Sequence, residues 1–466
     1  MTVLTGTIQG DPARELTENA RLLQDQGDLR GAAEAYLAAY RQSPSGFRAS
    51  RYLHCARKAS PEAARLAAAF GLEALVAWPE EVWVQREAVW AHYDGFLKGL
   101  SADRASLAPE ICRKGLDAAR WIIKSTAEDL PLRLAVFAGA RAAKALGHWH
   151  DVAELLTVLK PERLSDQPQA HAGKRLPSDR ERWYVMRARA LLETRRLDEA
   201  LQVATAGSQA FSGSDSLARL KALAHMALGN LEQARALLET LDRRHPPQWY
   251  VKADLARLMM RQGDSASALA LLCEAALLPG DAKGRIGVFE DLATLLEPRE
   301  IWHACLDHLM LAWAIAITEC WEHRRARCQE RHEDFWSRHG DRLAQAGLDQ
   351  AFEPPPFQQL LARCLTFWQI QVDELRPRQR GRIKAWNPER EFGFIELAGS
   401  PDLFFLGRNF RSRERRPEVG MPVEFEVKSS YDRKKERDSQ MAVSVRPFSP
   451  PAKQVRKPID IDSLPY

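Results

Sequence analysis

A spacing of 34 residues recurs in the middle of this chain. Ala200, Ala234 and Ala268 are 34 residues apart, and each follows a short turn in the same register. Small residues occupy the matching earlier positions, at Ala188, Ala222 and Ala256. A period of this length is typical of stacked helix pairs, in which each pair buries its apolar face only against its neighbours. The spacing therefore predicts an all-α solenoid.

The N-terminal region repeats the same pattern, with Ala20, Leu23, Gly27, Asp28, Ala32, Tyr36, Ala39 and Pro44 in the corresponding places. Residues 17–44 and 183–280 resemble the tetratricopeptide-repeat family. The resemblance implies a solenoid whose groove binds peptides or protein partners, and it implies no catalytic chemistry. It does not identify the groove residues, because the motif residues of this family are packing residues.

The rest of the helical sequence carries weaker marks. Gly147 indicates a degenerate repeat, while the segment after Pro161 is rich in Pro, Gln and Ser and has no periodicity, which favours a loop. We therefore expect six segments: a helical repeat region at 1–160, a loop at 161–182, tetratricopeptide repeats at 183–290, helices capping the solenoid at 291–375, a barrel at 376–448 and a disordered tail at 449–466.

After residue 380 the apolar period falls from helical spacing to two, which predicts short strands. Three stretches of this region resemble the cold-shock family. The first contains Gly381, Arg382, Ile383, Lys384, Trp386 and Asn387; the second Arg390, Phe392, Gly393, Phe394 and Ile395; and the third Asp402, Leu403 and Phe404. The resemblance implies a small OB barrel that binds single-stranded RNA or DNA. The expected fold class is thus a helical solenoid followed by an all-β OB barrel.

Strand alternation assigns the residues of this barrel to two faces. Ile383, Ile395, Leu403, Val423 and Phe425 are expected to fill the interior. The outer face would then present Lys384, Trp386, Phe392, Phe394 and Phe404 to solvent. Unpaired bases stack on exposed aromatic rings, at about 1–3 kcal/mol per base. These five residues are therefore the predicted contacts to the bases and the adjoining backbone.

Positive charge is concentrated in the same part of the chain. Residues 376–466 contain 20 Lys and Arg against 13 Asp and Glu, whereas the rest of the chain has a net charge of −2. The further predicted nucleic-acid contacts are arginines of the strands and of the following loop: Arg382, Arg390, Arg408, Arg413, Arg415 and Arg416. A polyanion should therefore be attracted to this end of the chain.

Departures from the cold-shock pattern leave alternatives open. Ala385 replaces an aromatic residue, Glu391 replaces a glycine, and Leu406 and Gly407 replace a His-Phe pair. One alternative is a pure protein-interaction scaffold whose OB barrel is degenerate and no longer binds nucleic acid. Another is an enzyme or toxin with an unrecognised site in residues 285–373, where titratable side chains are concentrated.

Motifs for cofactors and catalysis do not occur in this sequence. It has no Walker loop, GxGxxG or HExxH motif, so neither a cofactor, a metal nor an enzymatic activity is predicted. Cys328 and His332 share a helix face, but helix-packing cysteines and surface histidines are the favoured interpretation of the segment around them. The tryptophans at helical spacing are expected to pack between helices, with a groove lining as the alternative: Trp78, Trp83, Trp90 and Trp121.

Cellular location is predicted from what the sequence lacks. The longest apolar run, Leu309 to Ile317, is far shorter than the roughly 20 residues of a membrane helix. The first residues show no secretory signal pattern. Seven cysteines lack the paired spacing of a disulfide framework. These features predict a cytoplasmic protein with reduced and mostly buried thiols, and no membrane partner.

Overall fold

The computed structural model describes residues 11–101, 108–171, 174–243, 246–350, 352–375, 378–397, 399–412, 416–432 and 437–448. Over these residues the chain forms many helices and then a closed five-stranded barrel. The chain divides into two compact units, Met1–Gln262 and Gly263–Tyr466. The predicted fold class, a tetratricopeptide-like helical array followed by an OB-like barrel, is confirmed. The tail at 449–466 lies outside the described residues.

The first unit is a series of helices, each packed on the next. Its helices are α1 (Pro12–Asp25), α2 (Leu29–Gln42), α3 (Gly46–Ala59), α4 (Pro61–Ala77), α5 (Val82–His92), α6 (Pro109–Ser125), α7 (Asp129–Ala145), α8 (Trp149–Thr157), α9 (Asp179–Glu193), α10 (Leu197–Ala210), α11 (Asp215–Ala227), α12 (Leu231–Asp242) and α13 (Trp249–Arg261). A π-helical turn, Tyr93–Leu97, continues α5. Asp11, Ser45 and Ser60 accept hydrogen bonds from backbone N–H groups and so start their helices.

The turns within the helix pairs share one geometry. Gly27, Gly147 and Gly229 have φ of 85°, 75° and 84°, in the left-handed region that favours glycine. In each, the N–H of the following residue donates to a carbonyl five residues earlier in the chain. Arg195 takes the same conformation with φ of 60°. The degenerate repeat predicted at Gly147 therefore turns in the same way as the clear repeats.

Small residues of the repeat pattern lie where the helices approach most closely. The members of this group in the first unit are all fully buried: Ala20, Ala32, Ala39, Ala188, Ala200, Ala222, Ala234 and Ala256. A larger side chain at these positions would push the paired helices apart. Their predicted role as packing residues is confirmed.

The prediction of a loop at 161–182 is wrong in two respects. The segment contains a hairpin of β1 (Gln169–His171) and β2 (Lys174–Leu176), and α9 already begins at Asp179. One apolar cluster also continues from α8 into α9, with Leu156 and Trp183 among its members. Trp183 Nε1 donates to the backbone oxygen of Leu156 at 2.8 Å. A continuous apolar core therefore joins the helices on either side of this segment.

The second unit begins with five helices: α14 (Ser265–Leu277), α15 (Ile286–Leu296), α16 (Trp302–Thr318), α17 (Glu322–Gln345) and α18 (Phe357–Leu375). Phe289 of α15 stacks on Trp368 of α18 with ring centroids 5.4 Å apart. Glu300 and Cys320 hold the left-handed turns before α16 and α17, with φ of 58° and 54°. Among the helices of the described ranges, none is long and apolar enough to cross a membrane.

The barrel follows with strands β3 (Gln379–Asn387), β4 (Phe392–Leu397), β5 (Ser400–Leu406), β6 (Pro422–Asp432) and β7 (Arg437–Pro447). The strand order is β3-β4-β5-β7-β6, and β6 pairs with β3 to close the barrel. All pairs are antiparallel except β5 with β7. This five-stranded arrangement is that of an OB-type barrel, whose second and third strands form the usual oligonucleotide-binding face.

The barrel interior contains the five residues predicted for it. Ile383, Ile395, Leu403, Val423 and Phe425 are buried together with Phe405, Ala442 and Val445. Glycine allows the strands to approach closely at Gly381, where an added Cβ would lie 2.6 Å from the Glu396 oxygen. The inner face is therefore filled by side chains, and any ligand must bind outside.

Candidate nucleic-acid interface

Three phenylalanines form a continuous surface on the outside of β4 and β5. Phe394 lies opposite Phe404 in the strand register, and Phe392 lies opposite Leu406. The Phe404 ring centroid is 5.8 Å from those of both Phe392 and Phe394. Phe394 is 37% exposed, and the other two rings are half-buried. We call Phe392, Phe394 and Phe404 the aromatic platform; the outward orientation predicted for it is confirmed.

The predicted orientation of Trp386 is wrong. Its ring stacks on buried Phe405 at 5.5 Å and 16°, and packs against the interior cluster. Gly393 lies opposite Trp386, and an added Cβ there would be 2.5 Å from the Phe405 ring. The register shifts between Ile383 and Ala385, which changes the phase of strand alternation. Trp386 consequently packs, half-buried, against the barrel core and is not one of the outward-facing rings.

Lys384 lies on the outer face, as predicted, but it is paired. Its Nζ is 2.7 Å from Asp402 Oδ2, and this hydrogen bond raises the pKa of Lys384. Arg382 is exposed and donates to the Gly420 carbonyl at 3.3 Å. The pairing reduces the positive charge that Lys384 offers to a phosphate. Pure strand alternation does not reveal the pair, because the bulge next to Ile383 brings Lys384 towards β5.

The charge around the platform is mixed. Arg390 and Arg408 are exposed at the end of the barrel where β4 begins and β5 ends. Glu391 is exposed at the same end, and Glu396 follows the platform along β4. Exposed charges separated by water interact weakly at physiological salt. The surface around the aromatic platform is therefore better suited to contacts with bases than to many contacts with phosphates.

The basic loop after β5 is only partly described. Arg411 and Arg416 are exposed, and the Arg411 N–H donates to the Val445 carbonyl at 2.6 Å, which fixes the loop against β7. Arg413 and Arg415 lie outside the described residues. The arrangement of the predicted arginine cluster therefore stays a prediction, with Arg408 and Arg416 as its exposed described members.

Sequence reasoning misses two residues that shape this barrel. Phe405, fully buried, is the ring on which Trp386 stacks. Since its neighbour Phe404 is predicted to point outwards, alternation alone would place Phe405 inside. The guanidinium of Arg380 lies 4.0 Å from the Phe448 ring centroid, next to the end of β7. No simple pattern links these two residues across the sequence.

The histidines and cysteines of the helical region have packing roles. His308 accepts a hydrogen bond from Trp368 Nε1 at 2.7 Å, and His332 accepts one from Trp336 Nε1 at 2.9 Å. Both histidines are buried, so the expectation of surface histidines is wrong for these two. Six of the seven cysteines are buried, and Cys320 is exposed. Within the described ranges, no group of three metal-ligating side chains comes together.

Comparison with known families adds one result. Residues 191–250 match the family model described as Tetratricopeptide repeat. The matched region begins near the end of α9 and reaches the start of α13, which are helices of the clear 34-residue repeats. The tetratricopeptide character of this part of the chain is therefore supported by sequence as well as by structure. No curated protein matches the chain.

Several solved structures are similar to this chain at low identity. A tetratricopeptide repeat protein from Parabacteroides merdae has 13% identity and a TM-score of 0.30, covering 62% of this chain and 100% of its own. The human IFIT1 dimer with PPP-AAAA has 13% identity and a TM-score of 0.34, covering 76% and 79%. Yeast Tom70 has 11% identity and a TM-score of 0.29, covering 78% and 96%. No ligand is transferred from these structures.

Proposed function

We propose that this protein is a non-enzymatic adaptor that binds single-stranded RNA or DNA on its barrel and protein partners on its helical repeats. The observation that carries the first part is the aromatic platform, three phenylalanine rings in mutual contact on the outer surface of an OB-type barrel. The second part is supported by the tetratricopeptide match at residues 191–250.

The platform favours unpaired nucleic acid. Its rings are edge-on or tilted to one another, at 90° for Phe392 with Phe394 and 35° for Phe392 with Phe404. Such rings offer separate flat faces on which successive bases can stack. A duplex hides the faces of its bases and offers mainly phosphates, whereas Lys384, the lysine on this face among the described residues, is already paired with Asp402. The proposed ligand is therefore a single strand.

A second candidate function is a protein-interaction scaffold with a degenerate barrel. The specific observation in its favour is the acidic side chains beside the platform, Glu391, Glu396 and Asp402, of which Asp402 pairs with Lys384. Carboxylates repel phosphates unless they contact base edges. In that case the exposed rings would contact an apolar protein surface, as aromatic residues commonly do at interfaces.

The experiment compares the full chain with a chain ending at residue 375, using labelled single strands and the matching duplex in fluorescence anisotropy. The full chain should bind the single strand more tightly than the duplex, and the shortened chain should lose this binding while staying helical by circular dichroism. Phe394→Ala should weaken binding, whereas Val419→Ala, which removes an exposed apolar side chain from a loop of the barrel, should not. Equal affinity for the duplex, or full affinity of the shortened chain, would contradict the proposal.

A further inference from the structure

A groove between α3 and α5 has the features of a second binding surface. It contains a cavity of about 380 Å³ lined by Phe47, Ser50, Arg51, His54, Trp83 and Glu87. Phe47 and Trp83 are 56% and 60% exposed, although large aromatic side chains are usually buried. Trp83 thus departs from the packing role predicted for the helical tryptophans and fits the alternative of a groove lining.

Helix geometry aligns the groove residues of α3. Phe47, Arg51, His54 and Lys58 are spaced by four, three and four residues, so they form one stripe along the helix. Trp83 and Glu87 are four residues apart on α5 and face this stripe, since His54 Nδ1 is 3.1 Å from Glu87 Oε1. The groove therefore has an aromatic end at Phe47 and Trp83 and a basic end towards Lys58.

The charge of α3 is strongly one-sided. The helix contains four Lys and Arg residues and no Asp or Glu, as its sequence GFRASRYLHCARKA shows. Three carboxylates lie beside it: Glu81, whose side chain packs against Gly46, and Glu87 and Asp94, which Arg57 binds at 2.6 Å and 2.8 Å. Burial alone would raise the pKa of Glu87, but its hydrogen bonds with His54 and Arg57 outweigh this effect and lower the pKa. Arg57 together with Lys98, which lies 3.5 Å from Asp94, balances the charges of Glu87 and Asp94, while Glu81 adds one negative charge near Gly46.

Three cations of α3 have no carboxylate partner among the described residues. Arg48 donates to the Thr17 hydroxyl and the Ser43 carbonyl, and Lys58 lies 3.0 Å from His54 Nε2. An ammonium only donates, so the Lys58 contact occupies the Nε2 side of the His54 ring, while Nδ1 lies against Glu87. Arg51 is half-buried and lies 5.7 Å from the centroid of Phe47. These three cations outnumber the Glu81 carboxylate, so the groove has an excess of positive charge.

The aromatic end is shaped for a side chain more than for a base. The guanidinium of Arg51 lies over Phe47, and that of Arg86 lies 5.8 Å from the Trp83 centroid. Both guanidinium groups occupy ring faces on which a base would stack. What is left is the cavity of about 380 Å³ between these two aromatic side chains and Glu87. Its aromatic lining suits a bulky apolar side chain.

We infer that the α3–α5 groove binds an extended acidic peptide, with a bulky apolar residue between Phe47 and Trp83 and a carboxylate against Arg51. This inference rests on the proposed role of the helical repeats in binding proteins, and it assigns both the surface and the chemistry of the partner. Aromatic residues and arginine are the side chains that most often dominate binding at protein interfaces. Charge complementarity to Arg48, Arg51 and Lys58 selects the acidic partner.

The test selects short random peptides displayed on phage against the full-length protein. The selected peptides should combine a bulky apolar residue with adjacent Asp or Glu. One such peptide, synthesised with a fluorophore, should bind Trp83→Ala at least about 30-fold more weakly and Arg51→Glu about tenfold more weakly than the unchanged protein. Replacing the peptide's acidic residue with Lys should restore binding to Arg51→Glu.

Matched controls come from exposed positions in the same unit. Arg30→Glu changes an arginine whose side chain is 86% exposed on α2, and Leu66→Ala removes an apolar side chain that is 69% exposed on α4. Both variants should bind the peptide like the unchanged protein. All four variants replace groups outside the buried core, and circular dichroism verifies that each remains helical.

The outcomes distinguish an error in the groove assignment from an error in the proposed protein-binding role. If selected peptides bind but Trp83→Ala and Arg51→Glu do not weaken them, or if the peptides lack acidic residues, the groove assignment is overturned while the protein-binding role stands. If no peptide is selected, the acidic-peptide inference is overturned, while the protein-binding role is contradicted only if the full-length protein also retains no folded protein partner. If a labelled single-stranded oligonucleotide loses affinity with Arg51→Glu, the groove binds nucleic acid and the acidic-peptide inference is wrong.

Discussion

Phe404 and Phe405 are adjacent in β5, and their replacement by alanine should have opposite consequences. Phe405 is fully buried and stacks on Trp386, so Phe405→Ala removes a core ring. Such a change costs about 3–5 kcal/mol, a large part of the roughly 5–15 kcal/mol that stabilises a typical domain. The barrel of this variant should open frequently or unfold.

Phe404→Ala leaves the interior intact. The variant no longer makes two ring–ring interactions on the platform, each worth about 0.5–1.5 kcal/mol, so the barrel should stay folded with reduced stability. Removal of one stacking ring should weaken single-strand binding by about 1–3 kcal/mol, or about 5- to 150-fold. The salt dependence of binding should hardly change, because no charge is removed.

The assay must report on the barrel alone, since the chain has 13 tryptophans and its fluorescence mixes many sites. Amide hydrogen exchange, followed by mass spectrometry over residues 379–447, gives this local measurement. Exchange should accelerate strongly in Phe405→Ala and only slightly in Phe404→Ala, while anisotropy measures oligonucleotide affinity. A folded Phe404→Ala variant with unchanged affinity would refute the stacking argument, and equal exchange in the two variants would refute the assignment of faces.

Three further outcomes follow from the same structure. Joint replacement of Arg408, Arg411 and Arg416 by alanine should flatten the plot of log affinity against log salt, by about 0.7 for each phosphate that is no longer neutralised, and an unchanged slope would exclude the loop from the interface. Gly381→Ala should destabilise the barrel in urea unfolding, because its Cβ would lie 2.6 Å from a β4 carbonyl oxygen; full stability would disprove that close approach. Burial lowers the pKa of His308 to about 4, so the unfolded chain binds a proton below about pH 6.5 that the folded chain does not. Stability should therefore fall between about pH 6.5 and 4, by at most about 1.4 kcal/mol per pH unit, and less steeply in His308→Gln.

The sequence predicts the fold best where a local sequence pattern is clear. The 34-residue spacing identifies the helix pairs because buried alanines and left-handed glycines are needed wherever two helices turn and pack closely. From residue 285 onwards the helices continue to turn in the same way, but Glu300 and Cys320 hold the left-handed positions. Neither residue type marks such a turn in a sequence, so the pattern of this region predicts only helices without a period.

The segment at 161–182 differs from its prediction for another reason. Its Pro, Gln and Ser content correctly indicates an interruption of the helices, but it carries no information about tertiary contacts. Leu164 is buried in the same cluster as Leu156 and Trp183, and this packing joins the helices on either side. Composition predicts local irregularity, whereas the continuity of a core depends on which distant side chains meet.

The candidate site is predicted correctly where strand alternation is regular and wrongly where it is interrupted. Along β4, Phe392 and Phe394 point outwards and Ile395 points inwards, as a period of two requires. Along β3, Ile383 and Trp386 both contact the interior although they are three residues apart, because the register shifts between them. A single sequence gives no sign of that bulge.

The bulge in β3 also determines the shape of the proposed interface. Two consecutive residues, Lys384 and Ala385, face outwards there, and Ala385 lies directly opposite Phe394 in the register. The small side chain leaves the β3 side of Phe394 open, where an aromatic residue would have covered it. A base stacked on Phe394 can thus extend over β3 towards Lys384, whose ammonium Asp402 holds in place. The alanine that removes an aromatic ring from the cold-shock pattern therefore opens space beside the aromatic platform for the ligand itself.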